Sequence, residues 1–238
     1  MNKYLTEFIG TFFLVLTIGL SVLGGTPMAP LAIGAVLMVM VYMGGHVSGG
    51  HYNPAVSLAV LLRGKLPARD VVPYMAAQVL GAVAAAAVVY VVLGRTFAPA
   101  PGQAVSAVSA LLVEVLYTTA LCLVVLHSAT APQTTGNSFY GLAIGFTVTA
   151  GAFAGGPISG GAFNPAVGIG PILVSAVLGT DGSLANLWLY LVGPFVGGAL
   201  AAAVYRVQQP AEATPQEALA ARADSGEAAP SSRRRIPA

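Results

Sequence analysis

Charge is what this chain has least of. Asp, Glu, Lys and Arg make up only 8% of its 238 residues, against about a quarter in soluble domains, so a water-facing surface cannot be built from this supply. Between Leu5 and Val207 the acidic residues are Glu7, Asp70, Glu114 and Asp181 only, and the basic ones Arg63, Lys65, Arg69, Arg95 and Arg206. The formal net charge of +2 describes loops and a tail, so no nucleic-acid partner is expected. Cysteine is equally scarce. Cys122 stands alone, which excludes an internal disulfide and a cysteine-rich metal site and leaves a free core thiol. No phosphate-cradling Gly-x-x-x-x-Gly-Lys and no dinucleotide fingerprint occur. No nucleophile–base pair or metal cluster is visible either, so neither a cofactor nor an enzymatic reaction is expected.

What is present is apolar sequence, 56% of the chain. Runs of about twenty apolar residues match the bilayer's hydrocarbon thickness. Six are found, at Tyr4–Gly24, Leu31–Val47, Val71–Leu93, Ala104–Leu126, Phe139–Phe153 and Leu184–Arg206. The first, with its core at Leu5–Leu23, is too long for the short apolar region of a signal peptide and reads as a spanning helix. Two further apolar pieces, Pro54–Leu62 and Pro165–Leu178, are too short to cross. The expected fold is an all-α membrane protein with six transmembrane helices and two re-entrant half-helices.

Each short piece follows the same words. Ser48-Gly49-Gly50-His51-Tyr52-Asn53-Pro54-Ala55-Val56 recurs 111 residues on as Ser159-Gly160-Gly161-Ala162-Phe163-Asn164-Pro165-Ala166-Val167. Seven of nine positions are identical and an eighth exchanges one aromatic for another. Glu7 and Glu114 occupy matching places in spans one and four. A unit of three spans, repeated, must point the opposite way the second time, which makes an inverted repeat. The membrane domain is thus residues 1–206, with halves of about 1–99 and 100–206, and the two short pieces enter from opposite faces to meet near the midplane. Lys3, the Arg63/Lys65/Arg69 loop, Arg206 and the tail fall on one side and Arg95 on the other, which predicts cytoplasmic termini and a place in the cell membrane, plasma or inner. Residues 207–238, rich in Ala, Pro, Glu, Ser and Arg, read as a disordered cytoplasmic tail. Arg233-Arg234-Arg235 within it have a choice between anionic headgroups and plain solvation.

The motif that carries chemistry is Asn53-Pro54-Ala55 with its copy Asn164-Pro165-Ala166. Asn favours the N-cap and Pro the first helical position, so each box starts a helix. Irregular backbone ahead of it survives at membrane depth only in protein or beside a water-filled cavity. Two helix N-termini meeting there put about half a positive charge each at one point. The amides of Asn53 and Asn164 add donors to that point. A water or hydroxyl oxygen is accepted and a cation repelled, so neutral permeation with ion and proton exclusion follows.

With both boxes, Glu7-Phe8-Ile9-Gly10-Thr11, Gln78-Val79-Leu80-Gly81-Ala82 and Gly193-Pro194-Phe195-Val196-Gly197, residues 3–206 resemble the aquaporin (major intrinsic protein) family. The resemblance implies six spans, two half-helices and a homotetramer in the lipid bilayer with one pore per subunit. It also implies that Glu7 and Glu114 accept hydrogen bonds from the pore-loop backbones; a proton relay is the alternative role. Counting from the boxes as in that family, the selectivity filter falls at Ile33, Ala152, Gly161 and Val167. The family's aromatics, histidine and arginine are missing there, and Asn164–Pro171 resembles some plant vacuolar-membrane members, which also carry valine. A wider, more apolar filter is expected. His46 and His51 are placed toward the cytoplasmic vestibule as packed, hydrogen-bonded residues, and His127 at a span end. The implied activity is a passive channel for water and small uncharged solutes such as glycerol, urea, ammonia, hydrogen peroxide or a neutral metalloid acid. A channel mainly for water and an ion-coupled secondary transporter remain the alternatives.

Overall fold

The computed structural model describes residues 1–178 and 184–209. Six helices in it are long and apolar enough to cross a membrane: α1 (Asn2–Leu23), α2 (Ala29–Ser48), α4 (Ala68–Leu93), α5 (Ala107–Val125), α6 (Tyr140–Ser159) and α8 (Leu187–Gln208). Two short ones sit between them, α3 (Pro54–Leu62) and α7 (Pro165–Val177), of 9 and 13 residues. At about 1.5 Å per residue neither reaches across about 30 Å of hydrocarbon. Among the described residues there is no strand.

The helix ends differ from expectation where local chemistry sets them. α5 begins three residues later than the apolar run, because the Ser106 hydroxyl accepts from Ser109 N at 3.0 Å and caps it there. Beyond Val125 the same rod continues through a wider π turn, Leu126–Thr130. α6 runs six residues past the expected Phe153, through Pro157, and stops only at Gly160. Gly160 and its repeat mate Gly49 both take left-handed backbone, φ 90° and 93°, which ends α6 and α2 alike.

The first two spanning helices of each half pack together. α1 lies against α2 and α4, α5 against α6, and α2 meets α6 where the halves join. At that crossing Gly34 and Gly145 face each other: a Cβ on either would stand 2.5 Å from the other's carbonyl oxygen. Small residues here let two backbones touch, which is how helices associate when lipid offers no hydrophobic gain. Polar ties hold the helix ends. Lys3 Nζ and Tyr4 OH both reach the Asp70 carboxylate, at 2.6 and 2.8 Å, joining α1 to α4. Met1–Tyr205 form one compact unit. Of the expected tail, 207–238, residues from 210 on lie outside the described residues.

Candidate functional site

The site is built from two helix beginnings. Asn53 and Asn164 stand in extended backbone as N-caps of α3 and α7, with Pro54 and Pro165 at the first helical position. Each Asn Oδ1 accepts from the amide two residues on: Ala55 N at 2.8 Å and Ala166 N at 2.9 Å. The side-chain nitrogens reach across the repeat. Asn53 Nδ2 donates to Phe163 O, and Asn164 Nδ2 donates to Tyr52 O, both at 2.9 Å. Each half is thus pinned to the other by a reciprocal clasp. One N–H of each amide is used in the clasp, so a single hydrogen per Asn is left for the lumen rather than a free NH₂ group.

The accepting carbonyls belong to the two aromatics that precede the boxes. Tyr52 and Phe163 both hold positive φ, 50° and 48°. Left-handed backbone at a bulky residue costs on the order of 1–3 kcal/mol and persists only where surroundings enforce it. The enforcement comes from α1 and α5. Glu7 accepts from Ser48 Oγ at 2.6 Å, His51 N at 3.0 Å, Tyr52 N at 2.7 Å and Gln78 Nε2 at 2.8 Å. Glu114 accepts from Ser159 Oγ at 2.7 Å, Ala162 N at 3.0 Å and Phe163 N at 2.7 Å. Both carboxylates are fully buried, and each lone pair that finds a donor offsets the cost of keeping charge out of water. Tyr74 OH and Tyr190 OH complete the pattern by donating to Ser48 O at 2.7 Å and Ser159 O at 2.6 Å.

The halves part company around one side chain. In the first, Gln78 Nε2 also donates to Ser57 Oγ at 2.9 Å, and Ser57 lies 3.0 Å from His51 Nδ1. In the second, the residues 111 on from His51 and Ser57 are Ala162 and Gly168. Tyr190 crowds Gly168 too closely for any Cβ. Beyond the carboxylate, serine and tyrosine that both loops share, the first is braced further by Gln78, Ser57 and His51, and the second by the close packing of Tyr190 on Gly168.

A cavity of about 520 Å³ runs past both boxes. Ile33, Ala152, Gly161 and Val167 all line it, together with Asn53 and Asn164, so the four expected filter positions share one conduit. None of the four has a polar side chain. The carbonyls of Gly160, Gly161 and Ala162 accept no hydrogen bond among the described residues. The same cavity has an aliphatic lining that includes Leu37, Ile144 and Val148. A second cavity, of about 530 Å³, opens among Lys3, Lys65, Arg69 and Asp70.

His51 lines both cavities. His46 does not: it projects from an exposed face of α2 and lines neither. Gly44 and Ser48 share the inward face of α2, and a residue midway between them points the other way. His127 sits in the π turn with its ring 4.8 Å from that of Tyr205. Sequence reasoning missed the clasp acceptors, the serine donors and the segment Phe97–Ala100, which lines the first cavity. The first two were signalled in the repeat itself, where Ser and an aromatic recur at fixed places. Nothing in the sequence signals the third.

Six membrane-length helices surrounding a conduit whose middle is two clasped half-helix ends define a channel of inverted-repeat architecture. The chain belongs to the major intrinsic protein family, whose model matches residues 1–205. It is 35% identical over 231 residues to aquaporin Z of Brucella melitensis, covering 87% of this chain and 97% of that one. It is 37% identical over 221 residues to the glycerol uptake facilitator protein-like 6 of Lactiplantibacillus plantarum, covering 87% and 98%. Among solved structures, the aquaglyceroporin from Plasmodium falciparum superposes with a TM-score of 0.77 at 24% identity, over 86% of this chain and 94% of that chain. That likeness speaks for the fold alone.

Proposed function

We propose that this chain is a passive membrane channel for water and small uncharged solutes, excluding ions and protons. The observation that carries the reading is the reciprocal clasp of Asn53 and Asn164. It fixes two positive helix ends and two amide donors at one point of a continuous, uncharged conduit. An oxygen passing there is held by donors on one side, while a cation meets two helix dipoles of the wrong sign. Relatives named as an aquaporin and as a glycerol uptake facilitator support permeants of this size and neutrality. The donor-free ring of Ile33, Ala152, Gly161 and Val167 extends the range beyond water to glycerol, urea, ammonia, hydrogen peroxide or a neutral metalloid acid.

Glu7 and Glu114 serve as pore-loop supports in this reading, since every bond recorded to their oxygens comes from a loop or its brace. The family points to a homotetramer with one pore in each subunit. The basic residues Lys3, Lys65 and Arg69 around one mouth favour that face as cytoplasmic, with both termini there and the protein in the cell membrane, plasma or inner. Stopped-flow light scattering of proteoliposomes against water and a panel of these solutes is the test. Rapid water flux with at least one rapid neutral solute and no ion conductance is expected. Flux no faster than protein-free liposomes for every permeant would overturn the reading.

A further inference from the structure

We propose that the size limit for solutes is set by an inner pinch of His51 and Val125, and that the outer ring does not set it. This rests on the channel reading above. The cavity that runs past both boxes (outer) and the one among Lys3, Lys65, Arg69 and Asp70 (inner, on the proposed cytoplasmic side) have two lining residues in common, His51 and Val125. Both side chains therefore border the passage from one cavity to the other.

The inverted repeat supplies an internal control. His51 against Ala162 is the one place where the two nine-residue copies differ in kind. The α1 residue that matches Val125, by the same step that relates Glu7 to Glu114, is Ile18. Ala162 and Ile18 both line the outer cavity, and neither lines the inner one. The loop with the alanine borders a single cavity. The loop with the histidine borders two.

The His51 ring is held in place from several sides. It packs against Tyr74 with centroids 5.2 Å apart, and its Nδ1 lies 3.0 Å from Ser57 Oγ. Gln78 already donates to that serine oxygen, and the described residues record no acceptor for the serine hydrogen other than Nδ1. The hydroxyl hydrogen therefore goes to Nδ1 and the ring proton sits on Nε2. Nε2 faces Gly49, which lines the inner cavity, so the pinch presents a single fixed donor beside an aliphatic group. Val125 is the last residue of α5 before the π turn, so its position is fixed by the helix and by the wider turn that follows. A rigid ring against a short branched side chain passes narrow molecules with one accepting oxygen and obstructs thicker ones.

The test uses the full chain in proteoliposomes, with water and polyols of increasing length (glycerol, erythritol, xylitol). Val125→Ala removes two methyl groups from the pinch, His51→Ala installs the second half's residue, and Ile18→Ala trims the equivalent outer position. Val125→Ala and His51→Ala should each raise the ratio of erythritol to water flux by at least about tenfold, the discrimination a methylene of space commonly carries. Ile18→Ala should leave it within about twofold. Water flux in each variant reports that it has folded and inserted. Val125→Ala and His51→Ala proteins that pass water with the wild-type ratio would overturn the pinch. Ile18→Ala raising the ratio as much as Val125→Ala would overturn it too. Wild-type protein that passes neither water nor glycerol would overturn the channel reading instead.

Discussion

The clasp between the two boxes can be taken apart chemically, and the structure says what each part is worth. Asn53→Ala removes an N-cap oxygen from α3, worth about 1 kcal/mol and within 0.5–2. It also leaves the buried Phe163 carbonyl without its 2.9 Å donor, at about 1–3 kcal/mol for an unsatisfied buried group. The sum is about 2–4 kcal/mol. Asn53→Ser keeps a capping oxygen but lacks the reach to cross the repeat, so it should cost only the clasp share and recover about 1 kcal/mol relative to alanine. Asn164→Ala and Asn164→Ser should behave alike, since Tyr52 O stands 2.9 Å from Asn164 Nδ2. Both clasps close the same junction, so breaking one loosens the other. The double alanine variant should fall short of the summed single losses by about 1 kcal/mol or more. Cys122 is the only cysteine and is fully buried, so a thiol-reactive dye reports unfolding directly. For a chain of this size each kcal/mol corresponds to about 2–4 °C in Tm. Serine variants as unstable as alanine variants, or strictly additive alanine losses, would refute the clasp as a shared junction.

Glu7→Gln and Glu114→Gln place an NH₂ group against at least one loop N–H, so both should disorder the pore loops while leaving any remaining flux unsaturable; a proton-coupled uptake lost cleanly in a well-folded variant would restore the relay role. Val167→Arg puts a cation and five donors into an uncharged ring and should reduce glycerol flux more than water flux, measured by stopped-flow on protein shown to insert. An unchanged ratio there would show that Val167 does not touch the permeant. Gly34→Val forces a side chain into the Gly145 carbonyl 2.5 Å away, and this overpacking should cost at least about 1–3 kcal/mol. Thermal unfolding checks it, and wild-type Tm would contradict the close crossing of α2 and α6.

Much of the architecture was legible because lipid makes it so. A helix in hydrocarbon must be apolar and about twenty residues long, and α1, α2, α4, α5, α6 and α8 obey that rule in plain sequence. The boxes were legible because Asn and Pro act locally, capping the helix they begin. Helix ends were less so: Ser106 halts α5 by a hydrogen bond, and Gly-rich sequence near Pro157 hid six residues of α6. The clasp needed three dimensions, since Asn53 and the carbonyl it holds are 110 residues apart. Val125 was hidden for the same reason, being an ordinary valine in an ordinary helix until the fold brings it, like His51, to the lining of both cavities. His46 lies on an exposed face of α2 and lines neither of the two cavities described above.

The central claim is that solute crosses by open passage through the clasped conduit. Its most direct test is the initial glycerol flux into proteoliposomes over a wide range of external concentration, with and without an ionophore that collapses ion gradients. A passive channel gives flux proportional to the glycerol gradient at every concentration, unchanged by the ionophore. Flux that saturates and disappears with the ion gradient would mean an alternating transporter, and the account of an uncharged, continuously open conduit would be wrong.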